Sequence, residues 1–220
     1  MQKRLFIDMD GTLARFHDEV QYLERMFEKD FFLELKPFEK MVEALRLFVA
    51  DNPGIPVFIL SACVVGAPPY CRKEKQEWCD KHLPFIKPEN TLFVPMNKNK
   101  ADFIPGGITH NDYLYDDYNK NLEQWQQSGG QAIKCKNNIN HLGKYGKLWE
   151  GKLIDNQCSP FFISAMLKEY VMFTRTDTMS ASEYLDKLLA KGVNIEPPEK
   201  FGLGCPSVEC FEEDDEMEME

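Results

Sequence analysis

The sequence predicts an α/β fold in which a parallel sheet carries helices on both faces. Short strand-like runs alternate with helical stretches and are joined by short turns, the pattern that generates strand–helix–strand units. One of those runs, Pro56-Val57-Phe58-Ile59-Leu60, is apolar throughout, as a strand covered on both faces requires. A second, Arg4–Ile7, delivers Asp8-Met9-Asp10-Gly11-Thr12 at its end, where sheets of this kind bind ligands.

Taken in order, the first strand is expected over about Arg4–Asp8, followed by a largely helical stretch from about His17 to Leu35. Pro37 opens a helix whose apolar positions Met41, Leu45 and Phe48 recur at helical spacing, and Asn52-Pro53-Gly54 close it. After the apolar second strand, a helix is predicted from Pro69 to His82, then strands over Thr91–Pro95 and Tyr113–Asp116. A helix over Asn121–Ser128 stops at Gly129-Gly130, and a fifth strand covers Ala132–Cys135. Two amphipathic helices, Ser159–Phe173 and Ser180–Leu189, follow, the first entered at Ser159-Pro160 and the second capped by Ser180. No internal repeat is present.

At 220 residues, with 43% hydrophobic and 12% aromatic residues, the chain can bury a substantial core. Its net charge of −10 is concentrated at one end. Glu212–Glu220 holds seven carboxylates, leaving about −3 for the rest. That balance excludes a protein that grips a nucleic-acid polymer by bulk charge, and the acidic end, residues 201–220, reads as a solvated, disordered tail. Seven cysteines, an odd number with no C-x-x-C pair, together with a first strand that begins almost at Met1, fit a reduced cytoplasmic protein. The longest apolar run, around Val57–Ala67, is too short to cross a bilayer, so no membrane association is expected. Cys205 and Cys210 read as ordinary thiols, and His17, His82, His110 and His141 show no metal-ligand spacing.

The chemistry lies at the strand ends. The first offers Asp8 and Asp10, whose side chains alternation puts on one side although like charges that close repel; a divalent cation or a phosphoryl group would relieve the conflict. The second offers Ser61, the segment after the third offers Lys98 and Lys100, and the fourth offers Asp116-Asp117. Two acids, a hydroxyl, a cation and two further acids at one sheet edge form a constellation for phosphoryl chemistry.

With these four motifs the chain resembles the haloacid dehalogenase superfamily of phosphotransferases over roughly residues 1–150. The phrases DMDGTLARF, EKQEWCDKHLP and YLYDDYNKNLEQW resemble its 5′(3′)-deoxyribonucleotidase group, the cytosolic type C nucleotidases. The resemblance implies a Rossmann-like core (residues 1–150), a short helical cap inserted after the first strand (about 14–36), and a substrate that is a small phosphate ester, a (deoxy)nucleoside monophosphate; the alternatives are another phosphoester (a sugar phosphate, a nucleic-acid end or a phosphoprotein) and a binding module without turnover. A C-terminal helical extension, residues 151–200, lies outside it.

Residue roles follow. Asp8 is a nucleophile able to form an aspartyl-phosphate, and Asp10 can protonate the leaving oxygen and then deprotonate water. Mg²⁺ takes oxygen ligands, here from Asp8 and Asp116, with Asp117 as a further ligand or neighbour; the resemblance adds the backbone carbonyl of Asp10. Ser61, helped by backbone N–H groups from Ala62 onward, can bind a phosphate oxygen. Lys100, with Lys98 as the alternative, neutralises charge shared by Asp8 and phosphate. The resemblance places an aromatic at Phe16, and Phe31 and Phe32 lie in the cap segment where they can stack on a base. Asp8 and Ser61 are 53 positions apart, so the cap is small. We expect the C-terminal helical pair to pack beside it, closing the site or making a homodimer contact.

Overall fold

The computed structural model describes residues 2–64, 70–140 and 148–172. Six strands form one sheet: β1 (Arg4–Ile7), β2 (Val57–Cys63), β3 (Thr91–Pro95), β4 (Asp112–Asp116), β5 (Gln131–Lys136) and β6 (Leu153–Asp155). Their order is β3-β2-β1-β4-β5-β6, and every neighbouring pair is parallel. The order reverses between β1 and β4, which makes the carboxyl ends of those two strands the crevice where such sheets bind ligands. Ile7 lies opposite Tyr115, so Asp8 and Asp116 emerge side by side.

Both faces of the sheet are covered. Phe6, Leu60 and Leu114 form one apolar cluster with Leu122 and Trp125 of helix α5 (Asn119–Gln127). On the other face the Tyr115 hydroxyl reaches Met41 Sδ at 3.6 Å. Met41 belongs to α3 (Glu39–Asp51), which buries Met41, Leu45 and Phe48, the stripe read from the sequence, and Ala44 beside them. Helix α4 (Tyr70–His82) follows β2, and α5 (Asn119–Gln127) follows β4.

The segment after β1 departs from expectation. It holds a 3₁₀ turn, Phe16–Asp18, and two single-turn helices, α1 (Tyr22–Arg25) and α2 (Phe31–Glu34). Each of these short helices is preceded by a residue in the left-handed region, Gln21 (φ 55°) and Asp30 (φ 67°), which breaks helical continuity. The first amides of α2 bond instead to Glu74 of α4: its carboxylate accepts from Asp30 N at 2.7 Å and from Phe32 N at 3.3 Å. β2 runs three residues beyond its expected end, because Ser61, Ala62 and Cys63 pair with Phe93, Val94 and Pro95.

The expected boundary at residue 150 is not marked by a break in the fold. Leu153–Asp155 completes the sheet beside β5, and α6 (Pro160–Met172) packs on α3, burying Ile163, Met166, Leu167 and Val171. This corrects the placement of that helix beside the cap: its buried face packs on α3. The Lys3 ammonium donates to the carbonyls of Val171 and Met172, both at 2.7 Å, which puts the end of α6 at the sheet edge away from Asp8. The Ser180–Leu189 helix, the acidic tail, His141, Cys205 and Cys210 lie outside the described residues.

Candidate active site

The loop leaving β1 is tied to its own carbonyls. Met9 O accepts from the amides of Leu13 (2.9 Å) and Ala14 (2.8 Å), and buried Met9 and Leu13 anchor it in the core. Gly11 sits at φ +79°, and a Cβ there would lie 2.5 Å from Asp117 Oδ2, so only glycine permits this approach of the first loop to the fourth. Asp8, Asp10, Ser61, Lys100, Asp116 and Asp117 therefore come together at the carboxyl edge.

Lys100 is fully buried and donates to Asp8 Oδ1 at 2.6 Å and Asp116 Oδ2 at 2.7 Å. Of the two candidate lysines it is the one that reaches the carboxylates; Lys98 is exposed at the mouth of the same cavity. Asp116 is fixed further by Tyr118 N (2.8 Å) and the Asn121 amide (2.9 Å). Asp117 accepts from Asn137 Nδ2 at 2.9 Å, and the same Asn137 group donates to Gly11 O at 3.0 Å. Lys134 braces this turn through Asp117 O and Asn119 Oδ1.

Burial pushes Asp8 up to about 7: Lys100 opposes the shift, while Asp116 and Asp10 add to it. Asp117 is raised well above the usual carboxylate range by burial and by its neighbours Asp116 and Asp8. Burial disfavours the Lys100 ammonium, but Asp116 and Asp8 outweigh it and hold the group charged. Crowded, desolvated carboxylates of this kind fit a hard divalent cation, and oxygens of Asp8, Asp116 and Asp117 lie within 4.8 Å of one another. The Asp10 carboxylate stands outside that group. It bonds a second lysine instead, so any share of Asp10 in a metal site falls to its backbone carbonyl.

That second lysine, Lys75 on α4, is the functional residue the sequence reading missed. It is wholly buried, ion-paired to Asp10, and donates to Ser61 Oγ at 3.0 Å and Ala62 O at 2.6 Å. Its ammonium also lies 4.4 Å from the Phe32 ring centroid. A signal was available: Cys71, Glu74, Lys75, Trp78 and Cys79 share one face of α4, and charges on a buried stripe need partners. Ser61 lies inside β2, fully buried, and by accepting from Lys75 it keeps its hydroxyl proton for another acceptor.

A cavity of about 180 Å³ opens over Asp8 and Asp10. Phe16, Met26 and Phe32 form its apolar wall, and Ala62 and Lys100 lie at its floor. Phe31 does not line it, which corrects the expected substrate-pocket set. It packs edge-on behind Phe16 (5.8 Å between centroids) and Phe32 (5.1 Å) and supports them.

The family model described as 5′ nucleotidase, deoxy (Pyrimidine), cytosolic type C protein matches residues 18–147, from the cap through the Asp116-Asp117 turn. The chain belongs to that family, within the haloacid dehalogenase superfamily. No curated protein matches the sequence. Among solved structures, the Pnkp1/Rnl/Hen1 complex is similar at 19% identity and a TM-score of 0.44, over 61% of this chain and 46% of that one. A second structure, of the Pnkp1/Rnl/Hen1 RNA repair complex, matches at 17% identity and a TM-score of 0.43, over 60% of this chain and 42% of that one. The chain thus spans less than half the length of either. A haloacid dehalogenase-like hydrolase from Burkholderia xenovorans LB400 is similar at 12% identity and a TM-score of 0.46, over 84% of this chain and 99% of that one.

Proposed function

We propose that this protein is a magnesium-dependent phosphomonoesterase that acts on nucleoside monophosphates through an aspartyl-phosphate intermediate. The observation that carries the reading is the buried Lys100 bridge between Asp8 and Asp116 at the floor of a cavity that Asp10 also faces. Asp8 attacks phosphorus in line, the P–O bond to the leaving group breaks, and the departing oxygen takes the proton of Asp10. A water that returns its proton to Asp10 then attacks the acyl phosphate and frees Asp8. Ser61 donates its hydroxyl to a phosphate oxygen, and Lys100 offsets the charge that gathers on phosphate and Asp8. Asp8, Asp116 and Asp117 would hold Mg²⁺, which when bound offsets charge on the carboxylates and the phosphate. The apolar wall of Phe16 and Phe32 suits an aromatic base. The five cysteines among the described residues are all free, which suits a reducing, cytoplasmic setting.

The test is phosphate release from a panel of 5′- and 3′-(deoxy)nucleoside monophosphates, sugar phosphates and an aryl phosphate, with Mg²⁺ or chelator, beside Asp8→Asn. Release that favours nucleotides and is lost with chelator and with Asp8→Asn supports the reading. A different best substrate replaces the nucleotide part, and release that survives Asp8→Asn ends the mechanism.

A further inference from the structure

Lys98 is left without a role once Lys100 occupies the floor of the cavity, and it is not alone. Lys98 and Lys120 both line the mouth of that cavity, together with Asn97, Tyr118 and Gln124. All five side chains can donate hydrogen bonds. Among the described residues, the carboxylates lining the cavity are Asp8, Asp10 and Asp117 at its base. The buried cations are already engaged: Lys100 with Asp8 and Asp116, Lys75 with Asp10 and Lys134 with the Asp117 turn. Among the described residues, neither Lys98 nor Lys120 forms an ion pair.

The backbone under each of the two lysines is fixed. Lys98 lies between Asn97, held in the left-handed region at φ 63°, and Asn99, whose side chain accepts from Ala101 N (3.1 Å) and donates to Ser128 Oγ (3.0 Å). Lys120 lies between Asn119, bonded to Lys134 at 2.6 Å, and Asn121, bonded to Asp116 at 2.9 Å. Two cations on immobilised backbone, aimed into one cavity and lacking an acidic partner, form a receptor for an anion. Both lysines are exposed whereas Asp8 is buried, so an anion held by them lies nearer solvent than the Asp8 carboxylate, and Phe16, Met26 and Phe32 line the same cavity.

We propose that the preferred substrate carries a second phosphate on its leaving group, bound by Lys98 and Lys120. It is a nucleoside bisphosphate whose base rests on the Phe16–Phe32 wall and whose scissile phosphate lies over Asp8. This rests on the phosphatase reading above and specifies its substrate class.

Affinity is measured by calorimetry on the Asp8→Asn protein, which removes turnover, at about 0.15 M salt so that distant charges are screened. Matched pairs are compared: a nucleoside 5′-monophosphate with its 3′,5′-bisphosphate, and glucose 6-phosphate with glucose 1,6-bisphosphate. We expect the nucleoside bisphosphate to bind at least about tenfold more tightly than the monophosphate, as two charge-assisted contacts allow. The double variant Lys98→Gln/Lys120→Gln should erase that ratio. Equal affinity within each pair, or a ratio that survives the double substitution, overturns the proposal. An advantage confined to the sugar pair keeps the second-phosphate site and removes the nucleotide reading. Binding of none of the four ligands removes both.

Discussion

The carboxyl edge of the sheet and the cap segment border the same cavity but are built by different means. At the edge, each functional group is fixed by charge and hydrogen bonding: Lys100 spans two carboxylates, Lys75 ties Asp10 to Ser61, and Asn137 joins the Gly11 turn to Asp117. The cap holds together by ring packing, with Phe16 stacked on Phe32 at 6.1 Å and edge-on to Tyr22 at 4.9 Å. It is attached to α4 through Glu74 to the start of α2, Trp78 Nε1 to Leu35 O at 2.7 Å, and Lys75 over the Phe32 ring. Val20, Leu23 and Phe27 stand 77%, 56% and 50% exposed, so its outer surface contributes little burial. A directional ionic network holds atoms where a reaction needs them. Ring packing on short turns selects by shape and tolerates adjustment. On the proposed reading, chemistry belongs to the edge and contact with the base to the cap.

Substitutions on the two sides should separate cleanly. Asp10→Asn removes proton transfer and should lower kcat by about 10²–10⁴-fold on every substrate, with a smaller effect on aryl phosphates whose leaving group needs no proton. Lys75→Met acts through Asp10 and Ser61, so a loss of about 10–100-fold in kcat with an altered pH–rate profile is expected. A profile unchanged in shape would make Lys75 merely a packing residue. Phe16→Leu keeps apolar volume but removes the ring. It should raise KM for nucleotides by roughly tenfold, the scale of one stacked base, and leave kcat on a small aryl phosphate near wild type. An equal loss on both substrates would show that the cap positions the reacting groups too.

The smallest expected effect is thermodynamic. The carboxyl of Asp8, pushed up to about 7 from an ordinary 3.8, costs stability when ionised. Without metal, stability should therefore be fully retained below pH 4 on this account and fall as pH rises through about 7. Asp117 is shifted in the same direction. On the proposed reading magnesium binds the ionised carboxylates, so the rise in Tm that it produces should be larger at pH 8 than at pH 6. Equal shifts at both pH values would detach the acidic cluster from metal binding.

The edge was legible in the sequence because most of its groups sit at the end of an apolar run, where local pattern dictates the position; Lys100, five positions beyond β3, was one of two candidates. Asp8, Asp10, Lys100, Asp116 and Asp117 all converge as the strand order requires. Lys75 was not legible in this way. It comes from the middle of a helix, and its meaning depends on which strand that helix crosses. The cap was misread because Phe, Glu and Leu favour helix in isolation, whereas Glu74, 42 positions beyond Phe32, captures the amides that begin α2. β6 escaped notice because three residues, Leu153–Asp155, show too little alternation to stand out and form a strand only by pairing with β5. Helix α6 was found but misplaced, since amphipathicity shows that a face is buried and leaves its partner open.

The bond from Lys3 to the last carbonyls of α6 has an engineering consequence. The beginning of β1 and the end of the last described helix meet at the pole of the sheet opposite the carboxylates. In a chain shortened to Met172 a short peptide could join them, and new termini could be opened at the exposed Gly106-Gly107 turn. The join would lie at the pole opposite the carboxylates and leave the contacts of the β1–β4 crevice as they are.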